Sequence, residues 1–137
     1  LYNANSATLL QSLRLGAAGY SGVMANFHPE LYVWLTAHGR SGGEEAERAA
    51  GTKKDKWTDR AERLSDFLSI AALIERQSYP MNAKYHLMRQ GVLDNYRCRT
   101  ADWRGFTPTC RLEVEQLDRM AVRIASEFRL PDGDERG

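Results

Sequence analysis

The first 39 residues alternate between strand and helix patterns, and no strand pattern follows them. An apolar stub at residues 1–2 precedes a helical repeat of leucines that ends at Gly16. A second apolar run, residues 20–25, leads into a helix that starts at Pro29. Strands and helices that alternate through short loops are typical of a parallel sheet covered by helices. Two strands cannot bury both faces of a sheet, so this region is predicted to belong to a larger α/β fold.

The residues that follow predict helices joined by polar segments. Residues 40–56 are rich in glycine and lysine and have no regular apolar repeat, which indicates a solvated insertion. Apolar side chains at helical spacing then predict three helices, one beginning at Trp57, one over 80–91 and one over 109–128. The chain is therefore predicted to divide into a βα region, residues 1–39, and a helical extension, residues 40–137.

Composition restricts the possible partners and the location. The chain has 19 lysines and arginines against 18 acidic residues, a net charge of +1, so nucleic acid is not an expected partner. No apolar run approaches the roughly 20 residues that span a bilayer, so no membrane association is expected. The only two cysteines, Cys98 and Cys110, match neither a zinc pattern nor a disulfide framework. Their spacing favours reduced thiols, a cytoplasmic location and no metal site.

Two segments resemble one enzyme family. Residues 6–32, SATLLQSLRLGAAGYSGVMANFHPELY, resemble the seventh helix and eighth strand of the dihydrodipicolinate synthase and N-acetylneuraminate lyase family. Residues 63–91, RLSDFLSIAALIERQSYPMNAKYHLMRQG, resemble the C-terminal helices of that family. The most specific element is the strand with Gly22 and the Ala25-Asn26 pair at a fixed distance after the Leu-Gly-Ala of 15–17.

The resemblance implies a fold. Members of the family form a (β/α)₈ TIM barrel followed by a helical extension, so residues 1–2 would be the end of strand seven and residues 20–25 strand eight. Because the sequence does not begin with methionine, we expect it to be the C-terminal fragment of such a barrel. Active sites of TIM barrels lie at the C-terminal ends of the strands. In this chain those positions are residues 3–6 and 21–26, the strand-end segments. The family's common tetrameric state implies a homo-oligomer.

The resemblance also implies a reaction. Family members form a Schiff base between a lysine of strand six and pyruvate or another 2-oxo acid, and a tyrosine of strand five transfers the proton. No separate cofactor is needed. Both strands would lie outside this chain, so no catalytic residue is assigned, and the segment alone is expected to be inactive. Lys84 would belong to the C-terminal helices, where a structural or interface role is favoured.

The family's substrate contacts carry over to five positions of the strand-end segments: Asn3, Ala4, Ser6, Ser21 and Val23. Where the family places a glycine and two acidic residues, this chain has Ala4, Asn5 and Ser6. N-acetylneuraminate lyases have a serine at the position of Val23. Without these carboxylates and this hydroxyl, sialic acid is a doubtful substrate. Ser6 has a second interpretation as the N-cap of its helix, and the sequence favours neither role.

Two other functions remain open. The chain could be a helical interaction module whose strands pair with a partner, or part of a barrel that has lost its lysine and only binds a ligand. Upstream DNA that encodes six more βα units, with a lysine at the end of the sixth strand, would exclude the first. Trapping with pyruvate and borohydride would decide the second.

Overall fold

The computed structural model of the chain describes residues 1–40, 56–99 and 101–129. The insertion predicted for residues 40–56 therefore lies outside the described residues except at its two ends. The chain forms two compact units that divide within one long helix, between Ile70 and Ala71. No helix of the described residues is both long enough and apolar enough to cross a membrane.

The first unit contains a βαβα arrangement. Its elements are β1 (Tyr2–Asn3), a 3₁₀ helix (Ser6–Thr8), α1 (Leu9–Arg14), β2 (Gly19–Tyr20), a second 3₁₀ helix (Val23–Asn26) and α2 (Pro29–His38). The two strands pair in parallel, with Tyr2 opposite Gly19 and Asn3 opposite Tyr20. The strand, helix, strand, helix order predicted from the sequence is confirmed, and the described residues are mostly helical.

The predicted strand over residues 20–25 is wrong in its length. β2 ends at Tyr20, and Val23–Asn26 forms a 3₁₀ helix. A strand needs a hydrogen-bonded neighbour, and β1 offers only two residues before the chain turns away. The backbone of Gly22 lies so close to that of Ala4 that a Cβ atom added at Gly22 would lie 2.9 Å from the carbonyl oxygen of Ala4. Glycine is therefore needed at this position.

Leucines form the core beside the strands. Leu9 and Leu13 of α1 are fully buried, as are Leu31 and Leu35 of α2. The turn after α1 is closed by Gly16, whose φ of +93° is a left-handed conformation that favours glycine. This confirms the predicted end of the helix.

The helical extension follows the predicted spacing closely. Its elements are α3 (Lys56–Glu75), α4 (Met81–Arg89), a 3₁₀ helix (Trp103–Gly105) and α5 (Pro108–Arg129). Between α4 and α5, buried apolar side chains form a core: Met81, Tyr85, Phe106 and Val114. Met81 and Tyr85 lie on the apolar face of the helix predicted over residues 80–91, and both are buried in this core. The rings of Tyr85, Tyr96 and Phe106 pack with centroids 5.5 to 5.7 Å apart and form the aromatic cluster.

Candidate functional site

The strand-end segments meet where β1 and β2 end. Because the strands are parallel, their carboxyl ends lie at the same edge of the sheet. The backbone N–H of Ser21 donates to the carbonyl oxygen of Asn3 at 2.8 Å, which joins the two segments directly. The structure thus brings together Asn3 and Ser21, two of the residues that the resemblance assigned to substrate binding.

The side chain of Asn3 holds its own segment in place. Its amide nitrogen donates to the hydroxyl oxygens of Thr8 and Ser12, at 3.0 and 2.9 Å. Its amide oxygen accepts from the backbone N–H of Asn5 at 2.7 Å. A ligand that bound this amide would have to replace one of these bonds. Asn3 therefore fixes the position of the segment that follows β1.

Asn5 caps the following helix, a role that the sequence had suggested for Ser6. The side-chain oxygen of Asn5 accepts from the backbone N–H of Ala7 at 2.9 Å, and its backbone is extended, as is usual at an N-cap. Ser6 is already the first residue of the 3₁₀ helix. The N-cap interpretation of Ser6 is therefore wrong, and its hydroxyl group is available for another contact.

That contact is a buried cluster of three hydroxyl groups. Ser6 is 3% exposed, and its Oγ lies 2.7 Å from the hydroxyl oxygen of Tyr32 and 3.3 Å from that of Tyr20. The two tyrosine rings stack with centroids 4.2 Å apart and planes 15° from parallel. We call Ser6, Tyr20 and Tyr32 the hydroxyl cluster. Each member can donate and accept one hydrogen bond, so the cluster connects the half-buried Tyr20 at the strand end to the buried Tyr32 on α2.

Sequence reasoning missed both tyrosines of this cluster. A usable signal was present, because a buried tyrosine normally needs a hydrogen-bond partner for its hydroxyl group. Tyr32 occupies an apolar position of α2, and Ser6 is a hydroxyl residue at the neighbouring strand end. Only the fold shows that residues 26 positions apart in the chain are within hydrogen-bond distance.

The three remaining predicted contacts are exposed. Ala4 and Ser21 lie at the surface, and Val23, on the second 3₁₀ helix, is 49% exposed. Unlike Ser6, these side chains are accessible to a ligand without any rearrangement. They offer one hydroxyl group and two apolar side chains, and no charge. This composition suits a small, weakly polar part of a ligand.

A second polar arrangement joins α4 to α5. The hydroxyl group of Tyr85 donates to Oε1 of Glu115 at 2.6 Å, and Nδ1 of His86 lies 2.7 Å from Oδ1 of Asp118. The guanidinium of Arg89 lies 3.7 Å from both carboxylates. Burial, followed by the hydrogen bond to Glu115, raises the pKa of Tyr85 above its ordinary value. The phenol therefore keeps its proton, and can keep donating to Glu115, up to a higher pH than an unperturbed tyrosine would.

Lys84 and the cysteines occupy structural positions in the helical extension. Nζ of Lys84 donates to the backbone carbonyl of Arg97 at 2.9 Å, which links α4 to the loop that follows it. Cys98 and Cys110 are not joined by a disulfide bond. A hydrogen bond from the hydroxyl group of Thr107, whose oxygen lies 3.2 Å from Sγ, lowers the pKa of Cys110. Among the described residues, no group of three or more histidines, cysteines and acidic residues could hold a metal ion.

Comparisons of the chain with models of known families, with curated proteins and with solved structures gave no match. The functional interpretation therefore depends on the residues and on the geometry described above.

Proposed function

We propose that the chain is the C-terminal part of a lyase or aldolase of the dihydrodipicolinate synthase and N-acetylneuraminate lyase family. The whole enzyme would bind pyruvate or another 2-oxo acid as a Schiff base. In this proposal β1 and β2 are strands seven and eight of a TIM barrel, and α3 to α5 belong to the helical extension. The Schiff-base lysine and the proton-transferring tyrosine would come from strands outside these residues.

The observation that carries the proposal is the parallel pairing of β1 and β2 across a helical crossover. The crossover contains α1, and the register places Asn3 opposite Tyr20. Consecutive parallel strands joined through a helix are the repeating unit of the TIM barrel. In that fold the carboxyl ends of the strands line the active site. The same ends carry the strand-end segments in this chain.

The exposure of β1 supports a larger sheet. Tyr2 of β1 is 65% exposed. Within the described residues, each strand pairs with one neighbour only. Parallel sheets are almost always buried on both faces and continued by further strands, and a pair of two-residue strands is too short to be stable alone. In the proposed barrel, strand six would pair with β1 and strand one with β2.

The strand-end segments would form one side of the substrate site. Asn3 would order the loop, and Ser21 would offer a hydroxyl group to the 2-oxo acid. The segment over residues 4–6 carries no carboxylate, which favours a 2-oxo acid without a polyhydroxylated tail. The hydroxyl cluster would fix the position of the 3₁₀ helix that follows β1, through the contacts of Ser6.

Borohydride trapping tests the proposal on the complete protein encoded by the reading frame that contains this chain. Incubation with pyruvate and reduction should add one pyruvate adduct, located by peptide mass mapping. The adduct is expected on a lysine outside residues 1–137. Lys53, Lys54, Lys56 and Lys84 are internal controls and should remain unmodified. An adduct on one of these four lysines, or no adduct at all, contradicts the proposal.

A matched pair of serine variants tests the role of the strand ends. In the complete enzyme, Ser21→Ala should raise KM for the 2-oxo acid about two- to tenfold, since one hydrogen bond contributes about 0.5–1.5 kcal/mol. Ser126→Ala, on an exposed face of α5, is the control and should leave KM unchanged. Equal KM values in the two variants would remove Ser21 from the proposed site.

A further inference from the structure

An open cleft lies on the helical extension, formed by α4 and α5. Its volume is about 300 Å³, and it is lined by Arg89, Glu115, Asp118, Arg119, Val122 and Arg123. We call it the arginine cleft. Its volume is at the lower end of the range for small-molecule sites. It contains no residue of the strand-end segments, so it is independent of the function proposed above.

Both carboxylates of the arginine cleft are engaged by α4. Glu115 accepts the hydrogen bond of Tyr85, and Asp118 lies within hydrogen-bond distance of His86. Arg89 lies 3.7 Å from an oxygen of each carboxylate. Both carboxylates of the cleft therefore already have partners on α4.

Among the residues that the structure describes, the other two arginines of the cleft form no ion pair with either carboxylate. Arg119 and Arg123 are exposed and four residues apart on α5, which places their Cβ atoms about 6 Å from each other on one helix face. Among the described residues, the ion pairs of the cleft involve neither of them. Like charges at this spacing destabilise a helix slightly, and an anion between them would remove that repulsion.

We propose that the arginine cleft binds a small oxyanion, a phosphate or carboxylate group, between the guanidinium groups of Arg119 and Arg123. A guanidinium group offers a planar pair of donors that matches both oxyanions. Arg89, at the α4 wall, is already engaged with both carboxylates and offsets part of their negative charge. Val122, which is 65% exposed, provides an apolar surface for the carbon skeleton of the ligand.

Isothermal titration of the full chain tests this proposal with inorganic phosphate and with succinate, each at constant ionic strength maintained with chloride. At least one anion should bind at a single site. Arg119→Ala/Arg123→Ala should weaken its binding at least about tenfold, equivalent to about 1.4 kcal/mol. Arg119→Lys/Arg123→Lys, which retains both charges but lacks the planar donor pairs, should show an intermediate loss.

The control is Arg76→Ala/Arg99→Ala, which removes the same charge from two exposed arginines that do not line the cleft. Its affinity should equal that of the unmodified chain, and circular dichroism should show the same helix content in all variants. Binding of phosphate alone indicates a phosphorylated ligand, and binding of succinate alone indicates a carboxylate. The proposal is overturned if neither anion binds, or if the control variant weakens binding as much as the cleft variant.

Discussion

The strand region, residues 1–39, and the helical extension, residues 40–137, both place polar side chains beside an apolar core. They differ in how their backbone hydrogen bonds are satisfied. In the helical extension, α4 and α5 satisfy their backbone hydrogen bonds internally and meet through side chains. In the strand region, β1 and β2 satisfy one another over two residues each. Among the described residues, their other edges have no strand partner.

This difference separates two sources of stability. The helical extension depends on how well its side chains pack, since its backbone pairing is local. The strand region depends on pairing between segments that are distant in sequence, and on polar contacts such as the hydroxyl cluster. Substitutions in the two regions should therefore differ in how much they lower the free energy of unfolding and in the kind of interaction that they remove.

The largest expected effect is in the core of the helical extension. Phe106 is 1% exposed and packs against two tyrosine rings of the aromatic cluster. Phe106→Ala should lower the free energy of unfolding by about 3–5 kcal/mol, because it removes a large buried ring and leaves a cavity. Urea denaturation followed by far-UV circular dichroism measures the loss. The control Trp103→Ala changes a ring that is 40% exposed and should cost much less. Equal losses would show that the aromatic cluster does not hold this region together.

A smaller loss is expected from the hydroxyl cluster of the strand region. Tyr32→Phe removes the partner that lies 2.7 Å from the buried Oγ of Ser6 and leaves only the longer contact to Tyr20. The expected cost is about 1–3 kcal/mol in the same denaturation experiment. Tyr2→Phe is the control, because Tyr2 is 65% exposed. If the two variants are equally stable, the strand region does not depend on this cluster.

The polar contacts of the helical extension should make its stability sensitive to alkaline pH. Burial, followed by the hydrogen bond to Glu115, raises the pKa of Tyr85 in the folded state above 10.0. The folded chain therefore holds this proton more tightly than the unfolded chain. Its stabilising contribution is complete below the unfolded pKa and is lost as the pH rises through the folded pKa.

Thermal melts between about pH 8 and about pH 11 measure this loss, since the interval covers the ordinary pKa of tyrosine. Tyr85→Phe should show a shallower fall of the melting temperature than the unmodified chain. Tyr79→Phe, on the exposed turn before α4, is the control and should keep the original slope. Identical slopes in all three proteins would mean that Tyr85 makes no contribution to the fall of the melting temperature at alkaline pH.

The smallest effect is expected at a surface ion pair of the first compact unit, between α1 and α3. Nη2 of Arg14 lies 3.4 Å from Oε1 of Glu62, and the two side chains are 23% and 30% exposed. Glu62→Gln should cost about 0.2–1 kcal/mol, and the difference should shrink in high salt. Asp66→Asn, which changes an exposed residue in the middle of α3, is the control for the change of charge. A loss above about 2 kcal/mol would show that the pair is more important than its exposure indicates.

Much of the fold could be predicted from local sequence. The start of α3 and both ends of α4 and α5 agree with the predicted helices to within a few residues. Apolar spacing and the glycines at helix ends act within one or two turns, so a short window of sequence contains them. The strand predicted over residues 20–25 is too long, because the length of a strand depends on the neighbour with which it pairs.

The candidate site was predictable only in part. The two strand-end segments expected to lie close together are adjacent, through the bond between Ser21 and Asn3. The resemblance did not indicate that Asn3 is occupied with its own loop or that Ser6 is buried. Those facts depend on partners that lie several to many positions away in the chain, such as Tyr32.

The sequence by itself determined the order of strands and helices, their ends at glycine, and the apolar faces that form the two cores. Only the tertiary structure decided that Ser6 joins two tyrosines, and that Arg89 of α4 and two arginines of α5 line one cleft. The physical reason is the range of the interactions. Periodicity and capping act between residues a few positions apart, whereas a hydrogen bond of 2.7 Å between Ser6 and Tyr32 exists only once the fold has brought two distant segments together.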